Sequence, residues 1–158
     1  MQQEIEERIR TQMALAANEA NLIAFIENTH DAIWSTDRDH RIVVINTAAR
    51  EMFQRFFNVS LEQGSEMLMA LDETSSAVWR ARYEQALQGV RFTVEDQYRS
   101  GEQLLDYEVA FNPIMSRDGR LTGVACIARD ITLRKLAERE LQLAKEAAES
   151  ANRAKSAF

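Results

Sequence analysis

Hydrophobic and polar residues follow one another in three different rhythms along this chain. Through residue 28 the spacing is helical: Ile5, Ile9, Gln12, Ala16, Glu19, Ile23 and Ile26 recur at steps of four and three, a heptad seam interrupted by two polar residues. This predicts an amphipathic helix over 1–28, whose apolar face either packs on its own domain or meets a partner helix.

Between 29 and 132 the rhythm shortens. "AIWSTD" (32–37) and "RIVVIN" (41–46) are β-rich runs joined by the polar "RDH", which predicts a hairpin. In the second run Ile42 and Val44 fall on one side and Val43 and Ile45 on the other, so both faces of that strand are expected to be covered. Helical sequence follows in "TAAREMFQRF" (47–56) and again in "DETSSAVWRARYEQALQG" (72–89). In the second helix Asp72 or Thr74 serves as N-cap and Gly89 as the residue past the C-cap, with Trp79, Tyr83 and Ala86 on one face. Three more strands are read at 91–99, 102–116 and 120–132, the last two joined by the turn "RDG". The order β-β-α-α-β-β-β implies an α+β domain: a five-stranded antiparallel sheet with helices over one face, flanked by amphipathic helices at both ends. The other face of the sheet needs cover, and the N-terminal helix or a second subunit is available to supply it.

From 133 to 158 the chain is again helical, and two heptad registers compete. One carries Ala137, Leu141, Ala144, Ala148, Ala151, Lys155 and Phe158; the other carries Leu133, Leu136, Glu140, Leu143, Ala147, Ser150, Ala154 and Ala157. Alanine on a seam gives close but weakly specifying contact. The expectation is a parallel two-stranded coiled coil with two registers close in energy; the alternative is one fixed register with alanines present for helix propensity. At the boundary, "ARDITLRK" (128–135) runs strand into helix with no Gly or Pro between them. Asp130 and Thr132 stand where they can accept hydrogen bonds from the free N–H groups of the new helix, and so couple it to the sheet.

Composition narrows the function. The 158 residues carry a net charge of −6, distributed as −3 over 1–30, −5 over 31–130 and +2 over 131–158. An acidic body argues against a nucleic-acid partner, which requires a basic face. No apolar run approaches the ~20 residues of a membrane helix, and the acidic start "MQQEIEERIR" is not a signal peptide. The lone Cys126 has no disulfide partner in the chain, in keeping with the cytoplasm. The only histidines, His30 and His40, stand beside no nucleophile or metal-like cluster, there is no phosphate-cradling loop, and the acids of "DRD" (37–39) fall in a turn. These residues provide no catalytic constellation.

"DAIWSTDRDHRIVVINTAAREMF" together with the closing "NPIMSRDGRLTGVACIARDIT" resembles a PAS domain, the sensory module of bacterial signalling proteins, over about residues 25–135. One departure is His40, near the turn position where the family usually has Gly. The tail "LAKEAAESANRAKSAF" looks like the helix upstream of the phosphoacceptor histidine in hybrid sensor histidine kinases. The resemblance implies a cytoplasmic sensory and dimerisation fragment of such a kinase. It would act as a parallel homodimer through its terminal helices and pass a conformational signal to a kinase core after Phe158. A ligand-free structural dimerisation module, or a regulator of a cyclase or chemotaxis output, is the alternative.

The same resemblance frames the cofactor. Similar haem-binding members take an axial His from the helical half or the strands after it, and none exists here beyond His40. Met67 or Met69 is the remaining axial option, although methionine in a helix is ordinarily core filling. Light-sensing flavin members need a reactive Cys in the helical region, whereas Cys126 lies in the last strand. Non-covalent FAD or a small organic ligand stays open, with Asn46 as a polar group and Phe53, Trp79, Tyr83 and Tyr107 as walls. The competing reading has these side chains filling the core.

Overall fold

In the computed structural model, which describes residues 1–157, the chain forms α1 (Gln2–Glu27), β1 (Ala32–Asp37), β2 (Ile42–Ile45), α2 (Thr47–Phe57), α3 (Met67–Ala70), α4 (Glu73–Leu87), β3 (Phe92–Ser100), β4 (Gln103–Met115), β5 (Leu121–Asp130) and α5 (Thr132–Ser156). The five strands make one antiparallel sheet in the order β2-β1-β5-β4-β3, with α2, α3 and α4 over one face, as expected. The sequentially distant β1 and β5 lie side by side at its centre, with Trp34 opposite Cys126 and Ala32 opposite Ala128.

Local chemistry explains the boundaries. Asp72 caps α4, its carboxylate accepting from the Ser75 N–H at 2.9 Å and the Ser75 hydroxyl at 2.7 Å; Gly89, at φ +90°, ends that helix as the sequence suggests. Trp79, Tyr83 and Ala86 form its buried stripe. They meet Trp34 of β1, Val109 and Phe111 of β4, and Val124, Cys126 and Ala128 of β5 in a single core. Gly123 allows the two central strands to approach: a Cβ there would lie 2.0 Å from the Thr36 carbonyl oxygen.

Three local features differ from expectation. In β2 the two faces are not both covered: Ile42 and Ile45 are buried while Val43 and Val44 are exposed. The pairing explains it. Ser35 faces Val44 and Thr36 faces Ile42, so Val43 is an extra residue in a bulge, and alternation is broken between the two isoleucines. The four-residue α3 is an added helix, too short to leave a periodic signature. The N-terminal helix does not cover the outer face of the sheet, for α1 buries none of its side chains. On that face Ile33, Ile127 and Ala110 stand in register across three strands, partly exposed.

Candidate functional site

The helix-covered side of the sheet is filled with aromatic rings. Phe53, Trp79 and Tyr83 lie in this layer with Trp34 and Phe111, the ring centroids of contacting pairs 5.0–6.1 Å apart. The Trp34 indole N–H donates to the Tyr83 hydroxyl at 2.8 Å, and that hydroxyl donates to the Met67 thioether at 2.9 Å. The Trp34 N–H and the Tyr83 hydroxyl are thus satisfied by the protein itself. Met67 is fully buried whereas Met69 is exposed. Burial pushes the Cys126 thiol up, away from the thiolate a nucleophile requires. Among the described residues no group of three His, Cys, Asp or Glu side chains is placed to hold a metal ion.

Tyr107 stands apart from this cluster. It packs edge-on to Phe56 and Tyr98 nearer the rim. Beside it, Arg82 of α4 reaches Asp96 of β3 with two 2.7 Å bonds, and the Tyr98 hydroxyl donates to the same carboxylate at 2.9 Å. Burial opposes ionisation of Asp96, but the Arg82 guanidinium and the Tyr98 hydroxyl outweigh it and hold the carboxyl below its usual range.

Asn46 does not face a cavity. Its oxygen accepts from the Ile33 and Ala49 N–H groups, both at 2.9 Å, and its amide donates to the carbonyls of Ile26 at 2.7 Å and Asp31 at 2.9 Å. With two acceptor positions and two donors taken, the side chain has nothing left for a ligand. It caps α2 while gripping the last turn of α1. Glu27 adds a second grip: its carboxylate accepts from the Thr47 N–H, and the Thr47 side chain first and that N–H second hold its pKa below the usual range.

Asp130 and Thr132 form the corresponding joint for α5. The Asp130 carboxylate accepts from the Thr132 N–H at 2.9 Å and its hydroxyl at 2.6 Å; the Thr132 oxygen in turn accepts from the Asp106 N–H at 2.9 Å. Ile131 is buried between them and its N–H donates to the Asp106 carbonyl at 2.8 Å. The first turn of α5 is also fastened to the sheet by charge, with Lys135 2.7 Å from Glu95 and Arg134 3.5 Å from Glu108. An open groove of about 630 Å³ runs beside this joint, with Leu104, Leu105, Leu133 and Leu136 along it. Beyond the joint α5 buries no residue, and no helix among the described residues is long and apolar enough to cross a membrane.

One link between the joints has no signal in the local sequence. Asp31, just before β1, faces Arg129, the residue before Asp130, and the guanidinium binds its carboxylate at 2.9 Å and 3.2 Å.

Comparison with known proteins bears on this architecture directly. Residues 20–131 match the family model of the PAS fold. The chain belongs to the PAS family. No curated protein matches its sequence. Among solved structures, this PAS domain is similar to a phage VqmA–DPO complex, with a TM-score of 0.59 and 20% identity over 87% of this chain and 62% of that one. It is similar also to the PAS domain of Bordetella pertussis BvgS, at 0.55 and 20% identity over 83% of this chain and 98% of that one. A Vibrio cholerae VqmA dimer, determined without its target DNA, gives 0.57 at 13% identity over 72% and 51%. At such identities the shared feature is the fold.

Proposed function

We propose that this PAS domain is a cytoplasmic sensory and dimerisation module that relays a conformational change through α5 to a histidine kinase core beyond Phe158. Residues 1–28 serve as the input helix, 29–132 as the sensor and 133–158 as the output helix. The observation that carries this reading is the junction at Asp130–Thr132. A 25-residue helix with no buried side chain is fastened to the sheet by at least three hydrogen bonds and two ion pairs, with no flexible linker between them. Such a rod transmits motion of the sheet, and its free apolar seam is suited to a second copy in a parallel homodimer. The likeness of its tail to helices upstream of phosphoacceptor histidines points to the kinase. An acidic body supports a relay without a nucleic-acid partner.

A second reading, a PAS module that relays between helices with no ligand, is favoured by the aromatic core. There Trp79 packs against both Phe53 and Tyr83, and the Tyr83 hydroxyl is bonded within the protein.

Cysteine placed singly at Leu141 and Leu143, in a Cys126→Ala background, tests the relay. Oxidative cross-linking within a dimer is expected at both positions, in proportions that shift with signalling state. A chain that stays monomeric, or a cross-linking pattern that never changes, overturns it. A phosphoacceptor histidine shortly after Phe158 in the parent coding sequence supports the kinase output, and its absence overturns that part.

A further inference from the structure

We infer that Asp31 and Arg129 are positioning residues that couple α1 to α5 directly, so that a displacement of the input helix reaches the output helix without passing through the aromatic core. The inference rests on the relay reading above and adds the route.

The route is continuous at one end of the two central strands. The Asn46 amide holds the Ile26 carbonyl of α1 and the Asp31 carbonyl together, 2.7 and 2.9 Å away. The main chain of Asp31 is therefore tied to the end of α1 through one rigid, buried side chain. Its carboxylate, in turn, takes the Arg129 guanidinium through Nη2 at 2.9 Å and Nε at 3.2 Å. Arg129 is followed at once by Asp130, whose carboxylate sets the first turn of α5. Because Ala32 pairs with Ala128, Asp31 and Arg129 fall at the same end of two adjacent strands, and the step from one helix joint to the other is a single strand spacing.

The pair's position also indicates what it is for. The Arg129 side chain is 59% exposed, and an ion pair so open to water adds little to stability. Its two-point geometry fixes orientation rather than depth of burial. Substitution is therefore expected to loosen the coupling and leave the fold intact.

Amide hydrogen exchange on the whole chain tests this, read at both joints at once. Asp31→Asn is expected to speed exchange at Lys135–Ala137 of α5 by about two- to fivefold, the scale set by the loss of one exposed pair. Arg129→Gln is expected to do the same at Ile26–Asn28. The charge swap Asp31→Arg with Arg129→Asp is expected to return both regions toward the parent rates, while Val109 and Val124 in the central strands stay protected throughout. Acceleration confined to the substituted side, or a swap that restores neither joint, overturns the coupling. Should a single variant lose protection at Val109 and Val124, the swap decides: rescue of the remote joint supports the pair, and none refutes it. Expected exchange in a chain that never cross-links through α5 would overturn the relay reading and leave the coupling standing.

Discussion

Gly123 is the residue on which the centre of the sheet depends. A methyl group there would sit 2.0 Å from a backbone oxygen, and neither strand can retreat without breaking the ladder on its other side. Gly123→Ala is expected to destabilise the domain by about 1–3 kcal/mol through overpacking, seen as a lower denaturant midpoint with an unchanged slope. Asp96 is a second such position. Its carboxyl ionises more readily in the folded chain than in the unfolded one, so its contribution is complete above the ordinary carboxylate value. It is lost as pH falls below about 4 toward the lowered folded value. Asp96→Asn, which leaves Arg82 half-buried without its partner, is expected to cost about 1–2 kcal/mol at neutral pH. It should also flatten the acid limb of a stability-against-pH curve; a limb as steep as the parent's would place the acid sensitivity elsewhere.

Among the elements, α5 shows how a helix can be set by its first turn alone. Asp130 lies one position ahead of the capping residue, yet it accepts from the first helical N–H and pins the Thr132 hydroxyl that Asp106 uses. Asp130→Ala is expected to lower stability by about 0.5–2 kcal/mol, the size of a lost cap. In the parent protein it should change signalling output by more than its effect on protein level; unchanged output at normal abundance would mean that the joint does not carry the signal. The same element shows how far sequence reading extends. The Asp-x-Thr junction, the stripe Trp79–Tyr83–Ala86 and the cap at Asp72 are visible because each acts within one or two turns of its own chain. The bulge in β2 is not visible, since which of Val43 and Val44 is the extra residue depends on how Ser35 and Thr36 pair. Asn46 stands out as a polar residue in an apolar run, and its bond to the Ala49 N–H follows ordinary helix-cap spacing, but its partners at 26, 31 and 33 are main-chain groups that no spacing rule assembles. Arg82 with Asp96 and Asp31 with Arg129 were missed for the same reason: they are 14 and 98 residues apart and meet only across folded surfaces. Two heptad registers in α5 were legible, though Phe158, which the first places on its seam, lies outside the described residues.

For the molecule as a whole, the chain divides into a body with a closed core and two helices whose apolar residues stay open. The core buries Trp34, Tyr83 and Met67 with their polar atoms bonded to one another, whereas Ile5, Ile9 and Ile23 of α1 and Leu141 and Leu143 of α5 remain exposed. Both helices spring from the same end of the adjacent strands β1 and β5, one just before Ala32 and the other just after Asp130. A chain that leaves its domain beside the place where it entered brings the two helix joints to one edge of the fold. Under the relay proposed above, such a body could be exchanged between helical stalks provided the heptad phase of the two helices is kept. For anyone building chimaeras, the splice points lie at Asn28 and Thr132, and the quantity to conserve is the seven-residue phase across the cut rather than the identity of the domain between.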